Sequence, residues 1–199
     1  MKAAASRDTD PAGRLRVQRA LVRDLPGLES FIAAYTGDGT LLPRTLANLR
    51  THRAEFRLVW DGDRLVGCGA LQRVDGTLAE VRSLAVHPEW QGAGLGSMLV
   101  RALVRDAARL GIQRVFCLTR RVDFFARLGF GIVPTATFPH KIWNDCRVCP
   151  LFNQCDEVAM QRWVPATVPA ETFSKERRTA WLPDRAGRRT GRSIPKSTS

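Results

Sequence analysis

The stretch HPEWQGAGLGSMLV, residues 87–100, sets Gly92, Gly94 and Gly96 directly ahead of a helical pattern. Glycine weakens a helix interior, so glycines at a helix mouth mean a sharp bend or a close approach of the backbone to another group. The first helical turn offers unpaired N–H groups and a partial positive charge, which suits an anion. Two common phosphate loops are excluded. Ser97 and Met98 stand where a Walker loop would carry its lysine, and no G-x-G-x-x-G with an acid some way downstream is present. What remains is a cradle of main-chain N–H groups fit for a diphosphate, running through Gln91, Gly92, Ala93, Gly94, Leu95, Gly96 and Ser97. The plain alternative is a steric turn that binds nothing.

A second cluster lies in CRVCPLFNQC: Cys146, Cys149 and Cys155, with His140 upstream. C-x2-C is a zinc half-site, and three cysteines with one histidine complete a tetrahedral structural site. Reduced or redox-active thiols on a loop are the other reading. Cys68 and Cys117 fall in predicted strands and read as small core residues.

Residues 15–21 alternate like a strand, and DLPGLESFIAAY follows as a helix capped by Asp24. A second helix is expected in PRTLANLRTHR, opened by Pro43. EFRLVW, the turn DGD and RLVGCGALQRV make a hairpin, and LAEVRSLAV adds a third consecutive strand. Beyond the glycine loop, Leu95, Leu99, Ala102, Leu103 and Ala107 keep one helical face apolar, and Gly111 ends the helix. QRVFCLT is a short buried strand, RVDFFARLGF a short helix closed by Gly129, and EVAMQRWV a last strand. The order βααβββαβαβ implies an α+β domain over residues 14–164 with a mostly antiparallel sheet.

The chain of 199 residues has room for one core plus tails. No apolar run approaches a membrane span, and the first residues show no secretory h-region. An odd number of cysteines, five, suits a reducing cytoplasm better than a disulfide framework. Residues 1–13 read as a disordered leader. The net charge is +12, and from Pro165 onward eight Lys or Arg stand against three acids. That stretch, 165–199, is expected to be a basic disordered tail. Basic charge suits nucleic acid, and it equally suits polyanionic small ligands.

SLAVHPEWQGAGLGSML resembles the acetyl-CoA signature of the GNAT acetyltransferases, with Gln91, Gly94 and Gly96 at its three defining positions. The resemblance implies a mixed, mostly antiparallel central sheet flanked by helices. It implies acetyl-CoA as co-substrate, its pyrophosphate on the loop amides and its pantetheine arm along Leu84, Ala85 and Val86. FFARLGF resembles the second motif of that family. A wider set, from GTLLPRTLANL to PHKIWNDCRVCPLFNQCDEVAM, resembles the short stand-alone N-acetylglutamate synthases, which acetylate the α-amino group of glutamate at the start of arginine biosynthesis.

Acetyl transfer to an amine needs a held thioester, a base for the ammonium, a stabilised oxyanion and a leaving thiolate. Glu80 occupies the family's general-base position. Strand alternation is expected to put it on one face with Leu84, and an ion pair with Arg82 is its plain structural role. Phe125 stands where many relatives carry a tyrosine acid, so Thr119 or water is left to serve the thiolate. Arg44 matches a carboxylate-binding arginine of the family, with Arg82 and Lys141 as further candidates for glutamate's carboxylates. The Arg-x-Ser of the longer synthases falls at Gln154–Asp156, a departure that leaves glutamine, polyamines and protein N-termini open as acceptors. The partners expected are small molecules and no membrane, with a homodimer kept open. The non-enzyme alternative is a nucleic-acid binder acting through its basic tail.

Overall fold

The computed structural model describes residues 15–37, 39–139, 141, 145–149 and 151–165. The expected leader, the tail beyond Pro165 and His140 lie outside them.

Seven strands form one sheet: β1 (Arg16–Arg19), β2 (Phe56–Asp61), β3 (Arg64–Arg73), β4 (Leu78–Val86), β5 (Arg114–Thr119), β6 (Gly131–Ile132) and β7 (Val158–Trp163). Their order across the sheet is β1-β2-β3-β4-β5-β7-β6. Every neighbouring pair is antiparallel except β4 and β5. Helices α1 (Leu25–Ala33), α2 (Leu46–His52), α3 (Leu95–Arg109) and α4 (Val122–Ala126) complete the domain.

The helical periods decide which face each helix covers. Val100, Leu103, Val104 and Ala107 of α3 pack with Ala79, Val81, Val115 and Cys117 on one side of the sheet, and Leu99 packs with Val59 and Val66. Leu25, Leu28 and Ile32 of α1 and Leu49 of α2 pack with Leu58, Cys68, Ala70 and Ala85 on the other. Each fully buried leucine contributes roughly 1.5–3 kcal/mol of hydrophobic stabilisation. Asp106 on α3 faces the sheet as a buried acid and pairs with the buried Arg57 of β2, with Arg109 at 3.1 Å as a further partner. Cys68 and Cys117 are buried and free, and burial pushes the Cys68 thiol up to about 12, so both pack as core residues.

Several local expectations shift. Thr45, not Pro43, starts α2, its hydroxyl accepting from the Asn48 N–H at 3.3 Å. Asp24 precedes α1 without capping it through its side chain and instead accepts the Leu21 N–H at 2.7 Å. The two-residue β6 is too short to leave an alternating signature.

The largest departure is in β4. Cys68 pairs with Ala85 but Ala70 pairs with Arg82, so Gly69 alone opposes Ser83 and Leu84. Ser83 takes a positive φ of 50° to make this bulge. An inserted residue flips the faces beyond it. Glu80 and Arg82 therefore share a face with Ala85, while Leu84 packs with the α3 side. The expected sharing of one face by Glu80 and Leu84 is corrected by that single residue.

Candidate active site

β4 and β5 pair only at Leu78–Glu80 with Arg114–Phe116 and then part. Parallel neighbours that diverge leave main-chain groups of β4 without a strand partner on that side. Into this opening falls a cavity of about 810 Å³. Of the residues expected at the site, Glu80, Arg82, Leu84, Ala85, Val86, Thr119, Arg44, Lys141 and all three clustered cysteines line it. So do Gln91, Gly92, Gly94, Leu95, Gly96 and Ser97, and Ala93 alone stands off its wall.

At one end the wall is main chain. Gly94 is the N-cap of α3 with φ 86°, a left-handed conformation that a side chain resists. The N–H groups of Leu95, Gly96 and Ser97 form the first turn, where no intrahelical acceptor exists. Gly96 serves packing: a Cβ there would meet Phe124 Cζ at 3.1 Å, so α4 can lie against the helix mouth. Gln91 anchors the loop, its Nε2 donating to the Val86 carbonyl at 3.1 Å.

At the other end the wall is charged side chain. Lys141 Nζ lies 2.8 Å from Glu80 Oε1 and 2.8 Å from Asp145 Oδ2. Arg82 Nη1 lies 3.1 Å from Asp145 and 3.7 Å from Glu80 and also donates to Gln72 Oε1. Glu80 and Lys141 are buried and Arg82 is half-buried. Burial works to raise the Asp145 carboxyl, but the Lys141 hydrogen bond and the Arg82 charge together hold it below its usual range. Arg44 reaches Asn48 Oδ1 at 3.4 Å while its buried Nε has no partner. Burial, then the like charge of Arg82, lowers its guanidinium. Thr119 is buried, and its hydroxyl accepts the Arg121 N–H at 2.9 Å, shaping the turn into α4. Phe125 is core, edge-on to Phe124 and Phe130.

The zinc expectation took His140 as the fourth ligand, and His140 lies outside the described residues. Among the described residues no group of three or more His, Cys, Asp or Glu could hold a metal ion. Cys146, Cys149 and Cys155 form no disulfide and line the cavity wall.

Three wall residues escaped sequence reasoning. Tyr35, placed by sequence in the first helix, lies in the turn after α1 and donates to the Val86 carbonyl at 3.3 Å. Asp145 was legible as an i, i+4 partner of Lys141. Glu157, one residue ahead of β7, is partly buried, and burial pushes its carboxyl above the usual range against the pull of Arg120 and Lys141.

Comparison with solved structures fits this geometry. The N-acetylglutamate synthase of Neisseria gonorrhoeae, complexed with coenzyme A and N-acetyl-glutamate, superposes with a TM-score of 0.68 at 27% identity. The match covers 76% of this chain and 35% of that one. The fold is thus that of an N-acetyltransferase. An uncharacterized N-acetyltransferase of Chlorobaculum tepidum, CT2212, is 35% identical over 150 residues, 75% of this chain and 97% of its own length. The amino-acid acetyltransferase of Mycobacterium tuberculosis is 38% identical over 135 residues, 66% of this chain and 77% of its own. Residues 20–130 match the profile described as the acetyltransferase (GNAT) family, and the chain belongs to that family. No helix among the described residues is long and apolar enough to cross a membrane.

Proposed function

We propose that this chain transfers the acetyl group of acetyl-CoA to the α-amino group of an amino acid, with L-glutamate as the first acceptor. The product would be N-acetyl-L-glutamate, the opening step of arginine biosynthesis. One observation carries the reading: β4 parts from β5 over a single cavity that has a glycine-opened helix at one end and a buried charge cluster at the other. The first end suits a pyrophosphate, since the N–H groups of Leu95 to Ser97 meet an anion without reorganising. The open edge of β4 offers main-chain partners for an extended pantetheine arm.

In this reading Glu80 takes a proton from the acceptor ammonium, and Lys141 and Arg82 fix its carboxylate for that step. The free amine attacks the thioester carbonyl, the C–S bond breaks, and the departing sulfur is protonated from water or the Thr119 hydroxyl. Arg44, with its unpartnered Nε, takes an acceptor carboxylate. The relatives named amino-acid acetyltransferase support the acceptor class. Five free cysteines support a reducing compartment, the cytoplasm.

A second reading, an acceptor with a neutral side chain, is favoured by the acids Asp156 and Glu157 near the position of the longer synthases' Arg-x-Ser. Thiol release from acetyl-CoA across a panel of amino acids and amines tests both. Fastest turnover with L-glutamate is expected, preference for glutamine selects the second reading, and turnover only with amines lacking an α-carboxylate overturns both.

A further inference from the structure

Three carboxylates stand on the cavity wall: Glu80, Asp145 and Glu157. The first two are held by Lys141 and Arg82. Glu157 forms neither a hydrogen bond nor an ion pair among the described residues, and its neighbour Arg120 is taken by Asp156. Its position is defined by the sheet. Val158 pairs with Thr119 and Ala159 with Leu118, so Glu157 continues β7 just past the end of β5. Ala159, Phe116 and Leu78 share one apolar cluster on the face of the sheet from which Glu80 projects, and alternation returns Glu157 to that face. A partly buried carboxylate with no partner costs stability, so its presence on a cavity wall calls for a cation that arrives with the ligand. Arg44 is the complementary case, a wall cation whose buried Nε has no partner. An amino acid carries both opposite charges, one ammonium and one carboxylate.

We propose that Glu157 is the counter-charge that receives the ammonium of the incoming amino acid, holding it beside Glu80 until the proton leaves. The proposal rests on the reading of the cavity as an amino-acid acetyltransferase site. Glu157 binds and orients, while Glu80 accepts the proton. The acetylated product has no ammonium, so Glu157 discriminates acceptor from product and favours release of the latter.

The test compares the full chain with Glu157→Gln and Glu157→Asp, using L-glutamate or whichever amino acid of the panel is turned over fastest. In Glu157→Gln the acceptor KM should rise roughly ten- to a hundredfold, the scale of one charge-assisted hydrogen bond, with kcat changed far less. The inhibition constant of the matching N-acetyl amino acid and the KM for acetyl-CoA should move by less than about threefold, and Glu157→Asp should recover part of the acceptor affinity. An unchanged acceptor KM overturns the assignment. A rise shared equally by acceptor and N-acetyl product overturns it too, because it marks general damage to the cavity. A wild-type chain that acetylates no amino acid overturns the amino-acid reading itself and this proposal with it, a pattern distinct from failure at Glu157 alone.

Discussion

The two ends of the cavity are built from different materials. At the mouth of α3 the wall is main chain, shaped by the left-handed Gly94 and tied to β4 by Gln91. Over β4 and β7 it is charged side chain, with Glu80, Arg82, Lys141 and Asp145 bonded to one another. Main-chain N–H groups are the same whatever side chain a residue carries, proline excepted, so the first end suits a ligand group that never varies. A side-chain cluster is editable one residue at a time, so the second end suits the part of the reaction that differs between relatives. Damage at each end should therefore register in a different kinetic constant.

Glu80→Gln gives the largest effect on rate. Turnover should fall about a hundredfold or more, the usual scale for a lost general base, while the KM for acetyl-CoA stays nearly constant. Near-normal turnover of the folded variant at neutral pH would remove Glu80 from the chemistry and leave it a partner of Lys141. Lys141→Met breaks the cluster itself. It leaves two carboxylates sharing Arg82, and chemical denaturation should show a loss on the order of 3 kcal/mol, typical of a broken buried pair. A loss no greater than for an exposed lysine would mean that the cluster is not structural.

The smallest effect is at Asp145, whose carboxyl is held below its ordinary value of 3.8. A carboxyl depressed by folding adds stability that is complete above its unfolded pKa and is lost as pH falls through the folded one. The stability gap between wild type and Asp145→Asn should be widest at neutral pH and narrow as acid is added below about pH 4. Melting temperatures across pH check this, and a gap that does not change with pH would contradict the cluster's electrostatics.

The two ends were unequally legible in the sequence for the same reason that they differ in build. Main-chain binding leaves a local trace, because Gly92 and Gly94 must take positive φ within three residues of one another. The charge cluster joins Glu80 to residues some sixty positions later, a separation over which no periodicity speaks, and Lys141 and Arg44 were reached only through family resemblance. Strand alternation failed at Ser83, where one extra residue reversed the faces. The spacing of Cys146, Cys149 and Cys155 allows a metal site and free thiols alike, because spacing carries no information on whether thiols converge. Tyr35 was read as helical although the helix stops at Ala33, which let its hydroxyl turn toward β4.

The most direct test of the account titrates acetyl-CoA into wild type, Gly94→Glu and Glu80→Gln and compares Kd. Gly94→Glu puts both a strained φ and a negative charge at the helix mouth. Its circular dichroism and melting must first show that it is folded. The account predicts Kd weakened by roughly tenfold or more in Gly94→Glu and nearly unchanged in Glu80→Gln. Undiminished affinity in folded Gly94→Glu, or an equal loss in both variants, would contradict a cavity whose main-chain end holds acetyl-CoA and whose charged end serves the acceptor.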